Sequence, residues 1–163
     1  MRRVPLILFC AASAFLISCP EKPYPGDPLE AARRISPQEA PGLLLDPRLT
    51  SIQRARAAAV LAGRFGAKAV PWIRRALERY PREEWPDRSL AVRALRAAGK
   101  DPGAKKLRLD CLADKSDPGI RREAALALEA FLPDTEVRLA LQRTSRTDPS
   151  PLVRRAAGKA LGK

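Results

Sequence analysis

Along the second half of the chain, apolar residues return every three or four positions, the spacing of one face of a helix. In the stretch that begins at Ser116, Ile120, Ala124, Ala127, Leu128 and Phe131 fall on a common face, while Arg121, Arg122 and Glu129 point elsewhere. In the stretch that begins at Thr147, Val153, Ala156, Ala157, Ala160 and Leu161 do the same. Both runs open on Asp-Pro, a helix start signal: the aspartate caps free amides, and proline suits a first turn in which its missing N–H has no partner to lose. Alanine supplies much of each apolar face, so the predicted helices can approach closely.

The pattern is also periodic on a larger scale. The segments W-P-D-R-S-L-A-V-R-A-L-R-A-A-G from Trp85, S-D-P-G-I-R-R-E-A-A-L-A-L-E-A-F from Ser116 and T-D-P-S-P-L-V-R-R-A-A-G-K-A-L-G from Thr147 share an aspartate, an aliphatic-arginine pair and a run of alanine and leucine. Their aspartates, Asp87, Asp117 and Asp148, lie 30 and 31 residues apart. A looser first copy starts at Asp46, and partner segments begin at Gly66, Asp101 and Pro133. A period of this length suits stacked helix pairs, none of which can bury its apolar face alone. Over residues 46–163 the pattern resembles the HEAT-repeat family in its short bacterial form. The resemblance implies an all-α fold, an α-solenoid of about three to four helix pairs.

Upstream the character changes. Met1-Arg2-Arg3 is followed by an uncharged apolar run to Ser18, shorter than the roughly 20 residues that span a bilayer comfortably, as in a cleaved export signal. Leu16-Ile17-Ser18-Cys19 resembles the lipobox of bacterial lipoproteins, with a small residue before the cysteine. That resemblance implies cleavage before Cys19, lipidation of its thiol, and a protein held to a membrane at the bacterial cell envelope. An ordinary secretory signal cut after Ala12-Ser13-Ala14 is the plainer alternative. Residues 1–18 are thus expected to be the signal peptide, 19–28 a proline-rich tether, and 29–45 an irregular lead-in with short helical pieces at Leu29–Ile35 and Ala40–Leu45.

Composition narrows the chemistry. The chain has no histidine, which removes the commonest general base, metal ligand and proton shuttle together. No metal and no cofactor is expected, and a non-enzymatic role follows. Net charge is +13, or +11 once residues 1–18 are removed, which favours anionic partners and says nothing about fold. With Cys10 in the signal and Cys19 lipidated, Cys111 is left alone, and its helical spacing from Ala104 and Leu107 marks it as a buried small apolar residue.

Candidate sites are mostly arginines. Arg93, Arg121 and Arg154 follow aliphatic residues near the start of their helices, and the family resemblance implies that they join Asp87, Asp117 and Asp148 in a ladder between repeats. The alternative is a basic concave groove that also includes Arg56, Arg96, Arg122 and Arg155. Trp85 is balanced between a partner-binding surface residue and a structural one, whereas Trp72, spaced with Ala69 and Ala76, reads as core. Arg74-Arg75 and Lys105-Lys106 read as solvated faces, and the adjacent Glu83-Glu84 do not form a convergent acid pair. The expected function is a scaffold or adaptor that binds a protein with an acidic surface. The alternatives are a nucleic-acid binder using the basic groove, which export disfavours, and a lyase-like enzyme of the same repeat class.

Overall fold

The computed structural model describes residues 27–163, so the signal, Cys19 and all but the last two residues of the tether lie outside the described residues. The helices are α1 (Pro28–Arg34), α2 (Ala40–Leu44), α3 (Ser51–Phe65), α4 (Val70–Arg79), α5 (Arg88–Ala94), α6 (Pro102–Leu112), α7 (Pro118–Ala127), α8 (Thr135–Thr147) and α9 (Pro151–Ala160). Short 3-10 turns join α3 to α4 (Gly66–Ala69) and extend α5 (Leu95–Ala98) and α7 (Leu128–Phe131). No strand occurs among the described residues.

Local chemistry explains where these helices start. Asp27, Asp101, Asp117 and Asp134 each accept hydrogen bonds from first-turn amides, and proline follows the first three. Thr50 and Gln53 close a reciprocal capping box ahead of α3. Asp87 precedes α5 but caps no amide; its carboxylate instead accepts the Ser51 hydroxyl at 2.7 Å. Gly66 and Gly99 stop α3 and the α5 turn at φ of 53° and 59°, a backbone region that a side chain strains.

The elements form two layers. α1, α3, α5, α7 and α9 lie side by side in that order, and α2, α4 and α6 follow one another in the second layer, which α8 completes against α9. The odd row packs its neighbouring helices more closely than the even row does. Its close spacing comes from small residues: Ala57, Ala58, Ala91, Ala124, Ala125 and Ala157 are all fully buried. Between the layers, Leu61, Ile73, Leu95, Ile120, Leu128 and Leu141 make a continuous core. The molecule is an all-α solenoid of HEAT-like helix pairs. The lead-in is part of it, for α1 packs on α3 and α2 on α4, so the two short helices cover the first long pair.

Candidate interaction face

Arginines dominate the polar structure, and they divide into two sets. The first is buried at the start of the odd helices: Arg54, Arg88 and Arg121 are 2%, 8% and 7% exposed. With Arg154 they recur at intervals of 34, 33 and 33 residues. Opposite them stand Asp46, Tyr80, Asp114 and Asp148, one at the end of each even helix and 34 residues apart throughout.

Each buried arginine reaches forward to the next repeat. Arg54 lies 3.7 Å over the Tyr80 ring. Arg88 comes within 3.7 Å of the Asp114 carboxylate. Arg121 grips Asp148 with two bonds, Nε to Oδ2 at 2.8 Å and Nη2 to Oδ1 at 3.1 Å. Three of the four also reach back to the main-chain oxygen at the start of their own repeat. Arg54 donates to the carbonyl of Asp46 at 2.8 Å, Arg121 to that of Asp114 at 3.0 Å and Arg154 to that of Asp148. Planar guanidinium groups with five donors suit this double duty.

The ladder expected from the sequence therefore exists in a different register. Asp87, Asp117 and Asp148 are not equivalent positions: Asp87 binds Ser51, Asp117 caps α7, and only Asp148 is a rung. Arg93 is likewise not the counterpart of Arg121; Arg88 is. Because α5 begins immediately after Asp87, Arg93 stands more than a turn deeper in its helix, where it meets the adjacent odd helix. There it holds Glu123 of α7 with Nε to Oε2 at 2.9 Å and Nη2 to Oε1 at 3.0 Å. Arg121, read as pointing away from the core, is buried by its partners. The aspartates were visible in sequence, but the 34-residue interval that marks the true rungs was masked by Tyr80, which replaces a carboxylate with a ring.

The second set of arginines faces outward from the odd row. Arg56, Arg93, Arg122 and Arg155 are exposed on successive helices α3, α5, α7 and α9, and Arg96 on the 3-10 extension of α5. Glu123 is buried beneath them at 3% exposure, with Arg122 at 3.7 Å. Burial pushes its carboxyl up, but the Arg93 hydrogen bonds and the surrounding positive charge outweigh this and hold it below the ordinary glutamate value. The same bonds raise Arg93. Between α3 and α5 the face carries a depression of about 220 Å³, floored by Ala55, Ala59 and Leu90 and flanked by Arg56 and Arg93.

The remaining candidates resolve in other places. Trp85 is completely buried, and its indole N–H donates to the Ser51 carbonyl at 3.1 Å, so it joins repeats rather than meeting a partner. Trp72 is half-buried against the Phe65 ring, with centroids 5.3 Å apart. Tyr80 donates its hydroxyl to Leu45 at 2.7 Å. Cys111 is buried, and desolvation pushes its thiol up to about 12. Lys105 is tied to Asp134 of the following repeat at 2.7 Å rather than free on a solvated face. At the carboxy-terminal end, Leu152 is more than half exposed while Val153 is fully buried.

Among the described residues no cluster of three or more histidine, cysteine or acidic side chains is placed to hold a metal ion, and no helix is long and apolar enough to cross a membrane. A family model described as HEAT repeats matches residues 106–163, which span the second half of α6 through α9. The same ladder geometry continues upstream of that match, through Arg88 and Arg54. No curated protein and no solved structure matches the chain.

Proposed function

We propose that this protein is a non-catalytic scaffold which binds an acidic surface of another protein through the outward face of its odd helices. HEAT repeats commonly mediate protein interactions, and what supports this reading here is the division of labour among the arginines. The ladder set is consumed by internal bonds, whereas Arg56, Arg96 and Arg155 are exposed on the odd-row side and form no ion pair among the described residues. Exposed unpaired cations cost little to present and steer an oppositely charged partner during encounter. Every aromatic side chain among the described residues is buried or half-buried, which leaves that face without the stacking platforms on which single-stranded nucleic acid relies.

The second part of the proposal concerns place. Lipidation at Cys19 would hold the solenoid at a membrane of the cell envelope, with residues 19–28 as its spacer. Two or more acyl chains give lasting attachment, at about 0.8 kcal/mol per buried methylene.

Cross-linking in intact cells followed by mass spectrometry tests both parts. The expected result is an acyl-modified peptide starting at Cys19, and protein cross-links that disappear in the variant Arg56→Glu/Arg155→Glu while its melting temperature stays within a few degrees of the parent. Cross-links that persist in that variant and in high salt would refute the acidic-surface reading. A soluble chain that retains Met1 would refute the anchor.

A further inference from the structure

Where α5, α7 and α9 end, the odd-row face deepens into a groove of about 810 Å³. Arg96 and Lys100 line it from the 3-10 extension of α5 and the turn after it, Lys159 lines it from α9, and the small side chains of Ala127 in α7 and Ala130 in its 3-10 extension lie between. Arg108 reaches in from α6 beneath them. Glu129 is the one acidic side chain of the lining.

We propose that this groove receives an extended acidic segment of the partner protein, whose carboxylates pair with Arg96, Lys100 and Lys159. The proposal rests on the reading that the odd-row face binds protein, and it names both the subsite and the chemistry of its occupant.

Charge is the first support. Four cations face one carboxylate, and Arg96, Lys100 and Lys159 take part in no ion pair of the described structure, so an incoming carboxylate displaces nothing. Arg108 is the second. It is 1% exposed and donates to the carbonyls of Leu95 and Gly99, yet its Nε has no hydrogen-bond partner and no carboxylate lies within ion-pair distance. A guanidinium fixed in that state, beneath the groove floor, adds positive potential to the space above it. Burial and the like charge of Arg96 already depress its proton affinity, so an anion above it relieves repulsion. Size is the third: the space is more than twenty times the roughly 30 Å³ of a water molecule, room for several side chains of a peptide rather than a single small anion.

Cations at helix carboxy-terminal ends also complement the helix dipole, and a purely structural role must be separated from binding. Fluorescence anisotropy of a labelled hexaglutamate peptide with the full chain makes the separation. One variant, Arg96→Gln/Lys100→Gln/Lys159→Gln, strips the groove. A second, Arg75→Gln/Lys106→Gln/Arg138→Gln, removes the same charge from exposed positions of the even row. The groove variant is expected to bind at least tenfold more weakly, and the even-row variant within threefold of the parent. Equal losses in both would reduce binding to net charge and overturn the proposal, as would a parent that does not bind the peptide. So would competition by phosphatidylglycerol vesicles or a single-stranded oligonucleotide where hexaglutamate has no effect.

If the groove variant melts far below the parent, a photo-cross-linking glutamate peptide on the parent protein decides: attachment at Ala127–Ala130 supports the groove, and attachment elsewhere refutes it. Should the groove fail while cellular cross-links still depend on Arg56 and Arg155, the scaffold reading stands without this subsite. Loss of that dependence removes the scaffold reading itself.

Discussion

Removing the guanidinium of Arg121 isolates the more buried of the two ion-paired rungs of the ladder. The Arg121 and Asp148 side chains are 9% and 7% exposed, and two direct bonds join them. In Arg121→Met the Asp148 carboxylate keeps its hydrogen bond from the Ser150 amide at 2.8 Å but loses both charged donors. Breaking a buried pair by deleting one partner costs about 3–5 kcal/mol. The surviving Ser150 bond places this case at the lower end, near 3 kcal/mol, or a fall in Tm of roughly 10 °C for a domain of this size. Asp148→Asn strands Arg121 less completely, because the Asp114 carbonyl still accepts from it at 3.0 Å, so a loss of about 2 kcal/mol is expected. The double variant Arg121→Met/Asp148→Leu replaces the pair with apolar contact and should lie within about 1.5 kcal/mol of the parent. By urea unfolding the two single losses should sum to about 5 kcal/mol and exceed that of the double variant, as an apparent coupling energy, by at least about 3.5 kcal/mol. Arg33→Met, at an exposed pair with Glu30, is the control and should change stability by less than about 0.5 kcal/mol. A coupling energy below about 0.5 kcal/mol, or an Arg121→Met variant as stable as the control, would show that the rungs do not hold the repeats together.

Two further outcomes follow from the backbone and from titration. Gly99→Ala meets no atom within 4 Å but must adopt φ of 59°, so urea unfolding should show a loss of about 1–3 kcal/mol. Gly158→Ala in α9 meets equally open space at an ordinary helical φ and should gain about 0.5–1 kcal/mol; like signs for the two would refute the backbone explanation. With no histidine, melting temperature should be flat from pH 5 to 8. Arg48 holds Asp46 below its ordinary value, and in Asp114 and Asp148 hydrogen bonds outweigh the upward push of burial to the same effect. The folded state therefore binds fewer protons in acid than the unfolded chain, so stability is complete above about pH 5 and falls as pH drops through the lowered values. Cys111 works in the opposite sense: its thiol stays protonated to about pH 12 when folded but ionises from about pH 8.5 when unfolded, so stability declines above that point. A melting curve that rises into acid would contradict these assignments.

Much of this architecture was legible in the sequence. The apolar spacing of Ile120, Ala124, Ala127 and Leu128 placed α7 and its buried face, and the short helices at Leu29–Ile35 and Ala40–Leu45 stand within a residue or so of α1 and α2. Register was harder. Repeat spacing aligned Asp87 with Asp117, yet Asp87 is followed by Arg88 where Asp117 is followed by proline, and the two do different work. Glu123 shows why the site itself was not legible: a lone glutamate among alanines carries no sign that Arg93, 30 residues away, will bury it. The groove at the ends of α5, α7 and α9 depends on three helices and one side chain from the other layer, a convergence with no local signature.

The change from a ring at Tyr80 to carboxylates at Asp114 and Asp148 makes the stack chemically lopsided. A guanidinium over a phenol is indifferent to acid and only weakly affected by electrolyte, whereas its counterparts downstream, together with Glu123 and Asp134, depend on ionised oxygens. Among the rungs, acidification thus weakens those at Asp114 and Asp148 and spares the one at Tyr80, and the weakened rungs join the helices that line the groove.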